Sequence, residues 1–131
     1  MNTKILIIED NKQNMYLLTF LLNSHGHEVI QAFDGLQGIE SAKEERPDLI
    51  LLDIQLPKID GYSVARKIRA IGSLKETPIV AVTSYAMVGD REKALAAGCS
   101  GYIEKPINPG TFMDQIGQFL PGIPQKKGEK P

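Results

Sequence analysis

The run Leu49-Ile50-Leu51-Leu52 places four apolar residues in succession and ends on the carboxylate of Asp53. Consecutive apolar residues favour a strand that is buried on both faces, as in a parallel sheet with helices on either side. A second run, Ile5-Leu6-Ile7-Ile8, has the same character and leads directly into Glu9 and Asp10. Two strands of this kind in one chain indicate an α/β fold.

Short apolar runs recur along the chain at intervals that suit strand-plus-helix units. The pattern predicts strands over residues 4–8, 28–32, 49–52, 78–82 and 101–103, whose starts lie 24, 21, 29 and 23 residues apart. These intervals are too long for hairpins and long enough for a helix between strands. We therefore expect a single three-layer, doubly wound (βα)5 domain with a parallel sheet.

Capping residues and helix breakers between the runs predict five helices. Asp10 or Asn11 caps the first, which stops at Gly26, and Asp34 precedes the second, which ends near Arg46 because a proline follows. The others are predicted from Tyr62 to Ile71-Gly72, over 88–97 with a stop at Gly98, and from Asn108-Pro109 with an apolar stripe of Phe112, Ile116, Phe119 and Leu120.

Composition narrows the class of protein. The net charge of −1 excludes a strongly basic nucleic-acid binder, and the single cysteine, Cys99, excludes an internal disulfide framework. The short apolar run after Met1 does not predict a secretory signal, and no run reaches the length of a membrane span. The sequence predicts a cytoplasmic domain over residues 1–120, followed by a disordered tail or the start of a linker at 121–131.

Polar side chains follow four of the five predicted strands. They are Glu9 and Asp10 after the first, Asp53 after the third, Thr83 after the fourth and Lys105 after the fifth. In an open parallel sheet, ligands bind outside the carboxyl ends of the strands, where these residues would converge. Clustered carboxylates repel unless a cation joins them, and an oxygen-only donor set suits Mg²⁺. A carboxylate nucleophile beside Mg²⁺ and a lysine is an arrangement for phosphoryl transfer.

Each of these residues also has a structural explanation when it is taken alone. Glu9 and Asp10 can be a charged helix entrance, since acidic residues favour helix N-termini. Asp53 and Lys105 can be a plain ion pair, and Thr83 is an ordinary residue at the end of a strand. Their joint placement at four strand ends favours the functional interpretation.

Taken together, the motifs resemble the receiver domains of two-component response regulators, over residues 4 to about 120. The resemblance is closest to stand-alone regulators of the DivK and CheY kind, and it implies a flavodoxin-like, CheY-like sheet with strand order 2-1-3-4-5. It rests on Glu9-Asp10-Asn11, on residues 47–57 with Asp60-Gly61, and on residues 78–84 and 98–106.

The resemblance implies a role for each site residue. Asp53 is the expected phosphoacceptor, taking a phosphoryl group from a sensor histidine kinase, a histidine phosphotransfer protein or a small acyl phosphate. Glu9, Asp10, Asp53 and the backbone carbonyl of Gln55 are the expected ligands of Mg²⁺, the implied cofactor. Lys105 is expected to pair first with the acceptor carboxylate and then with the phosphoryl group, and its peptide bond to the following proline is expected to be cis.

The resemblance also implies a switch. Thr83 is expected to hydrogen-bond the phosphoryl group while Tyr102 turns inward behind it, and Gln55 and Tyr85 are expected to tune the lifetime of the phosphoryl group. The face formed by the fourth helix, fifth strand and fifth helix is then remodelled and binds a downstream protein. Such a protein is not an enzyme beyond its own phosphorylation and dephosphorylation, and neither nucleic acid nor membrane is an expected partner.

Three other functions fit the same fold less well. A flavin-binding electron carrier needs a phosphate-binding loop where this chain has the acidic residues Glu9 and Asp10. An aspartate-nucleophile phosphatase usually has a second acid at the position of Gln55. A scaffold that is never phosphorylated remains open, as does the choice between a stand-alone regulator and a receiver excised from a larger regulator or hybrid kinase.

Overall fold

The computed structural model describes residues 3–84 and 88–120, and it consists of five strands and five helices in regular alternation over those residues. The predicted tail at 121–131 and Tyr85 lie outside the described residues. In chain order the elements are β1 (Lys4–Ile8), α1 (Lys12–Ser24), β2 (Glu28–Ala32), α2 (Gly35–Glu45), β3 (Leu49–Asp53), α3 (Gly61–Arg69), β4 (Ile79–Thr83), α4 (Asp90–Ala96), β5 (Gly101–Glu104) and α5 (Pro109–Gly117).

The strands form one parallel sheet in the order β2-β1-β3-β4-β5, which confirms the predicted fold class. The predicted bounds of β1 and β2 are exact, β3 and β5 each end one residue later than predicted, and β4 both begins and ends one residue later. Those added residues are Asp53, Thr83 and Glu104. The ladder pairs Asp53 with Val82 and Thr83 with Glu104, so these polar residues are the last members of the sheet itself.

Both faces of the sheet are covered by helices, as the uninterrupted apolar runs predict. Alternate side chains of β1 and β3 point to opposite faces. Leu6, Ile8, Ile50 and Leu52 pack with α2, α3 and α4, while the intervening apolar residues pack with α1 and α5. Because β3 lies at the centre and is buried along its full length, its terminal Asp53 is buried too.

Side-chain caps begin four of the five helices. The side chains of Asn11, Asp34, Asp60 and Asn108 accept hydrogen bonds from the backbones of α1, α2, α3 and α5 respectively. Of the two predicted caps of α1, Asn11 is therefore the one used. The predicted end of α2 at Arg46 is confirmed, and this residue adopts a left-handed conformation (φ 49°).

The predicted lengths of α3, α4 and α5 need correction. A short 3-10 turn, Gly72–Leu74, follows α3 and was not predicted. The fourth helix is shorter than the predicted 88–97, because Gly89 adopts a positive φ of 91° before it starts. The fifth helix ends at Gly117, so Phe119 and Leu120 follow the helix in a tight turn, although Leu120 is still buried.

The two ends of α4 are held differently. At its N-terminal end the cap position is taken by Gly89, which has no side chain to accept a hydrogen bond from the first turn. Beyond its C-terminal end, the guanidinium of Arg69 donates from Nε to the carbonyl of Gly98 at 2.8 Å and from Nη2 to Ser100 Oγ at 3.3 Å. A third bond from Arg69, the last residue of α3, reaches the carbonyl of Leu74 at 2.8 Å, which ties the 3-10 turn to the same guanidinium.

Gly61 brings the start of α3 against the end of β3, and we expect Gly61→Ala to destabilise the protein. A Cβ at this position would lie 2.6 Å from the Cα of Ile54 and 2.7 Å from the carbonyl oxygen of Asp53. Because both are backbone atoms, relief requires a shift of the chain, at a cost of about 1–3 kcal/mol in the free energy of unfolding. Chemical denaturation measures the difference.

The matched control is Gly117→Ala in α5, where a Cβ would meet no described atom within 4 Å. It should leave the free energy of unfolding unchanged or raise it by up to about 1 kcal/mol through better helix propensity. Equal stabilities for the two variants would contradict the argument from close packing.

No helix in residues 3–84 and 88–120 combines the length and the apolar character that crossing a membrane requires.

Candidate functional site

The predicted site residues converge at the carboxyl edge of the sheet. A cleft there is lined by residues that follow β1, β3, β4 and β5, namely Glu9, Asp10, Asn11, Lys12, Asn14, Asp53, Gln55, Ser84 and Lys105. Glu9, Asp53 and Thr83 are the three buried polar or charged residues among those described, and all of them belong to this region. The parallel strands bring them together because their carboxyl ends share one edge.

Three carboxylates form the acidic part of the cleft. Glu9, Asp10 and Asp53 each offer one oxygen, and these oxygens all lie within 4.8 Å of one another. Asp10 is exposed, whereas the other two are buried. Two buried acids and one exposed acid around an open cleft give an oxygen-only donor set that leaves room for water. Such a set fits a hard divalent cation.

Lys105 supplies the positive charge nearest these acids. Its Nζ lies 3.0 Å from Glu9 Oε1 and 3.7 Å from Asp53 Oδ2. The expected pairing with the acceptor carboxylate is therefore present, but the shorter contact is to Glu9. The peptide bond from Lys105 to Pro106 is cis, as expected. The lysine thus bridges the ends of β1 and β3 from the loop after β5.

Asp53 is held in a defined orientation and has a perturbed acidity. The backbone N–H of Gln55 donates to its Oδ1 at 3.0 Å. The pKa of Asp53 is raised to about 6, chiefly by burial and in addition by the nearby charge of Glu9, while Lys105 and the Gln55 bond act in the opposite direction. At neutral pH the group is mostly ionised, as a nucleophilic carboxylate must be.

The side chain of Gln55 connects the loop after β3 to the end of β4. Its Nε2 donates to Thr83 Oγ1, and its Oε1 accepts from the backbone N–H of Ser84 at 3.0 Å. The sequence identified Gln55 for its backbone carbonyl and its flanking position, and it gave no sign of this contact. A glutamine two residues beyond a strand-end acid is not itself a recognisable signal.

Tyr102 lies in β5, away from the acidic cleft. It packs against the cluster shared with α2, α3 and α4, and the guanidinium of Arg91 sits 5.8 Å from the centre of its ring. Its hydroxyl is buried and has no hydrogen-bond partner among the described residues. Burial raises the pKa of the Tyr102 phenol, and the charges of Asp90 and Glu104 add to the shift. Burying a hydroxyl without a hydrogen bond costs free energy, so a movement of Tyr102 that gives its hydroxyl a partner would recover that free energy.

The pKa of Asp53 predicts how stability depends on pH in chelator-treated protein. The folded-state pKa of about 6 lies above the ordinary value of 3.8, so the folded protein retains its proton longer than the unfolded chain does. The contribution of Asp53 to the free energy of unfolding is therefore fully present below about pH 4 and is lost as pH rises through about 6. Asp53→Asn should remove the loss, and the variant should be more stable at pH 7.5 by about 1–2 kcal/mol after allowance for solvent screening.

The measurement is urea denaturation of both proteins from pH 4 to 8. The difference in the free energy of unfolding should be small at pH 4, grow through pH 6 and then level off. A difference that does not vary with pH would contradict this origin.

Comparisons with known proteins show the family to which this fold belongs. Residues 5–117 match the response regulator receiver domain family. The polar-differentiation response regulator DivK of Brucella anthropi is 41% identical over 120 residues, which cover 92% of this chain and 98% of the relative.

Solved structures agree with this class. The receiver domain of the sensor histidine kinase PA1611 from Pseudomonas aeruginosa, solved with a magnesium ion coordinated in its active-site cleft, is 38% identical with a TM-score of 0.84, covering 91% of this chain and 98% of that one. The chemotaxis protein CheY4 of Vibrio cholerae is 27% identical with a TM-score of 0.88, covering 92% of this chain and all of the other.

The molecule is thus a CheY-like signalling domain with its acidic cleft at the carboxyl edge of the sheet. The chain belongs to the response regulator receiver family, and among curated proteins it is similar to DivK regulators. Members of this family are signalling proteins that interact with histidine kinases and with downstream proteins.

Proposed function

We propose that the protein accepts a phosphoryl group on Asp53 from a histidine kinase or a histidine phosphotransfer protein, and that this modification controls its binding to a downstream protein. The observation that carries the proposal is the cleft itself. A buried carboxylate lies within 4.8 Å of two further acids and within 3.7 Å of a lysine ammonium, at the open edge of a parallel sheet.

In the proposed reaction, an oxygen of the ionised Asp53 carboxylate forms a bond to phosphorus. The bond from phosphorus to the donor's histidine nitrogen breaks, and the imidazole leaves with the electron pair. Lys105 stands within reach of the reacting carboxylate and offers positive charge to the phosphoryl oxygens. The Gln55 N–H fixes one carboxylate oxygen, which orients the group for attack.

The acidic donors fit Mg²⁺, and Glu9, Asp10, Asp53 and the backbone carbonyl of Gln55 are the residues that would hold it. When bound, the ion neutralises negative charge that the acids and the phosphoryl group bring together. The magnesium in the related receiver domain of PA1611 supports this choice of metal. Without the ion, Glu9 contacts Lys105 at 3.0 Å and so holds the lysine at the cleft.

The proposed switch connects Thr83 to Tyr102. Thr83 ends β4, the strand that pairs with β3, and its hydroxyl is the proposed hydrogen-bond donor to a phosphoryl group on Asp53. Tyr102, whose buried hydroxyl has no hydrogen-bond partner among the residues described, then turns inward from β5. The face of α4, β5 and α5 is then the proposed binding surface for the downstream protein, as expected for a receiver domain.

The experiment that tests the function is phosphorylation of the purified chain with acetyl phosphate and Mg²⁺. Intact-mass spectrometry and a phosphate-affinity gel should both show one added phosphoryl group, and an excess of EDTA should abolish it. A histidine phosphotransfer protein carrying phosphohistidine should serve as a second donor.

Two results would contradict the proposal. One is the absence of a phosphorylated species with either donor, together with no response to beryllofluoride, which would favour the scaffold. The other is phosphorylation that is unaffected by EDTA, because it would place the reaction outside the acidic cleft.

A further inference from the structure

We infer that the side chain of Gln55 is a clasp that holds Thr83 in its resting position, which makes Gln55 a positioning residue for the phosphoryl switch. The inference rests on the proposed function, because it concerns the moment at which Thr83 turns to a phosphoryl group on Asp53. It assigns to the Gln55 amide a role separate from that of its backbone.

Both ends of the Gln55 amide are engaged. Its nitrogen donates to Thr83 Oγ1, and its oxygen accepts from the backbone N–H of Ser84 at 3.0 Å. One side chain from the loop after β3 is therefore hydrogen-bonded to two consecutive residues at the end of β4. The same residue is tied to the acceptor, because its backbone N–H donates to Asp53 Oδ1 at 3.0 Å.

The two hydrogen bonds of the Gln55 amide differ in their exposure to water and therefore in how much each stabilises the resting position of Thr83. Thr83 is buried, so its bond to the Gln55 amide is partly shielded from water, whereas the bond from the Ser84 N–H is exposed. A hydrogen bond that is shielded from water stabilises the structure more than an exposed one, because water cannot fully replace it when it breaks. The contact with Thr83 is therefore the main part of the clasp.

The clasp opposes the movement that the switch requires. Rotation of the Thr83 side chain toward Asp53 carries Oγ1 away from the Gln55 nitrogen, and a shift of the loop at Ser84 breaks the second bond. Both hydrogen bonds of the Gln55 amide must therefore break before Thr83 forms its bond to a phosphoryl group. Removing the amide should therefore raise the population of the switched arrangement in the unmodified protein.

Beryllofluoride, a stand-in for the phosphoryl group on a carboxylate, is the probe for this effect. In Mg²⁺ buffer, Gln55→Met keeps the length of the side chain without its hydrogen bonds and should need about 3- to 10-fold less beryllofluoride for half-saturation. Gln55→Asn, one methylene too short to bridge, should behave in the same direction. The matched control is Gln118→Met, an exposed glutamine beyond α5, which should bind as the wild type does.

NMR supplies a readout that a merely structural role would not move. Without beryllofluoride, the Thr83 methyl resonance of Gln55→Met should lie displaced toward its position in the saturated wild-type protein. In a Thr83→Ala background, Gln55→Met should change the half-saturating concentration by less than about twofold, because the partner of the clasp is gone.

The outcomes separate this inference from the proposed function. If the wild type binds no beryllofluoride, the proposed function fails. If the wild type binds it but Gln55→Met binds equally well or less tightly with an unmoved Thr83 resonance, the clasp is wrong. A gain in affinity that survives undiminished in the Thr83→Ala background would also overturn the clasp.

Discussion

Asp53→Asn should abolish phosphorylation by acetyl phosphate and by phosphohistidine donors. The amide cannot act as the nucleophile, and the variant also separates Asp53 from Glu9, which Lys105 and the Asn11 N–H hold in a similar way. The loss should be complete within detection on a phosphate-affinity gel. Because the variant should also be more stable than the wild type at neutral pH, the loss cannot be ascribed to unfolding.

The matched control is Asp114→Asn, which changes an exposed acid on α5 in the same way. It should be phosphorylated at the wild-type rate. A phosphorylated Asp53→Asn protein would show that another residue accepts the group, and mapping of the modified peptide would then identify it.

Lys105→Met should lower the rate of phosphorylation by about 100-fold or more, since removing one well-placed donor to developing charge has effects of that size. It should also change the pH dependence. Lys105 opposes the rise in the pKa of Asp53, so its loss should move that pKa above about 6. In chelator-treated protein, the pH profile of the Asp53 carboxyl carbon resonance should then have its midpoint at a higher pH than in the wild type.

Lys67→Met, at an exposed position on α3, is the control for the loss of a positive charge. It should alter neither the rate nor the pH profile. A Lys105→Met protein that keeps the wild-type pH profile would contradict the electrostatic link between this lysine and Asp53, even if its rate were lower.

The fold was predictable because the decisive signals are local in sequence. Four apolar residues in a row at 49–52 require cover on both faces, and the regular spacing of such runs leaves few topologies. Caps such as Asp34 and Asn108 placed the helix starts for the same reason, since a cap acts on the residues beside it. The ends of α3 and α5 were less predictable, because a final turn depends on tertiary packing that the local sequence does not contain.

The composition of the cleft was predictable from the sequence, but its contacts were not. Strand-end positions placed Glu9, Asp53 and Lys105 at one edge, yet nothing in the sequence shows that the lysine lies nearer to Glu9 than to Asp53. The hydrogen bond from Gln55 to Thr83 could not be predicted either, because it depends on the relative position of two loops and on the rotamer of a long side chain. Such details follow from packing, not from pattern.

Because Arg69 holds the chain just beyond the C-terminal end of α4, this helix can turn about that end. Its seven residues span about 10 Å. With the far end pinned by Arg69 at the Gly98 carbonyl, a displacement of about 2 Å at Gly89 turns the helix axis by roughly 10°, given that length. The exposed side chain of Leu95 moves with it. A small translation at Gly89 is thereby converted into a rotation of the exposed surface of α4.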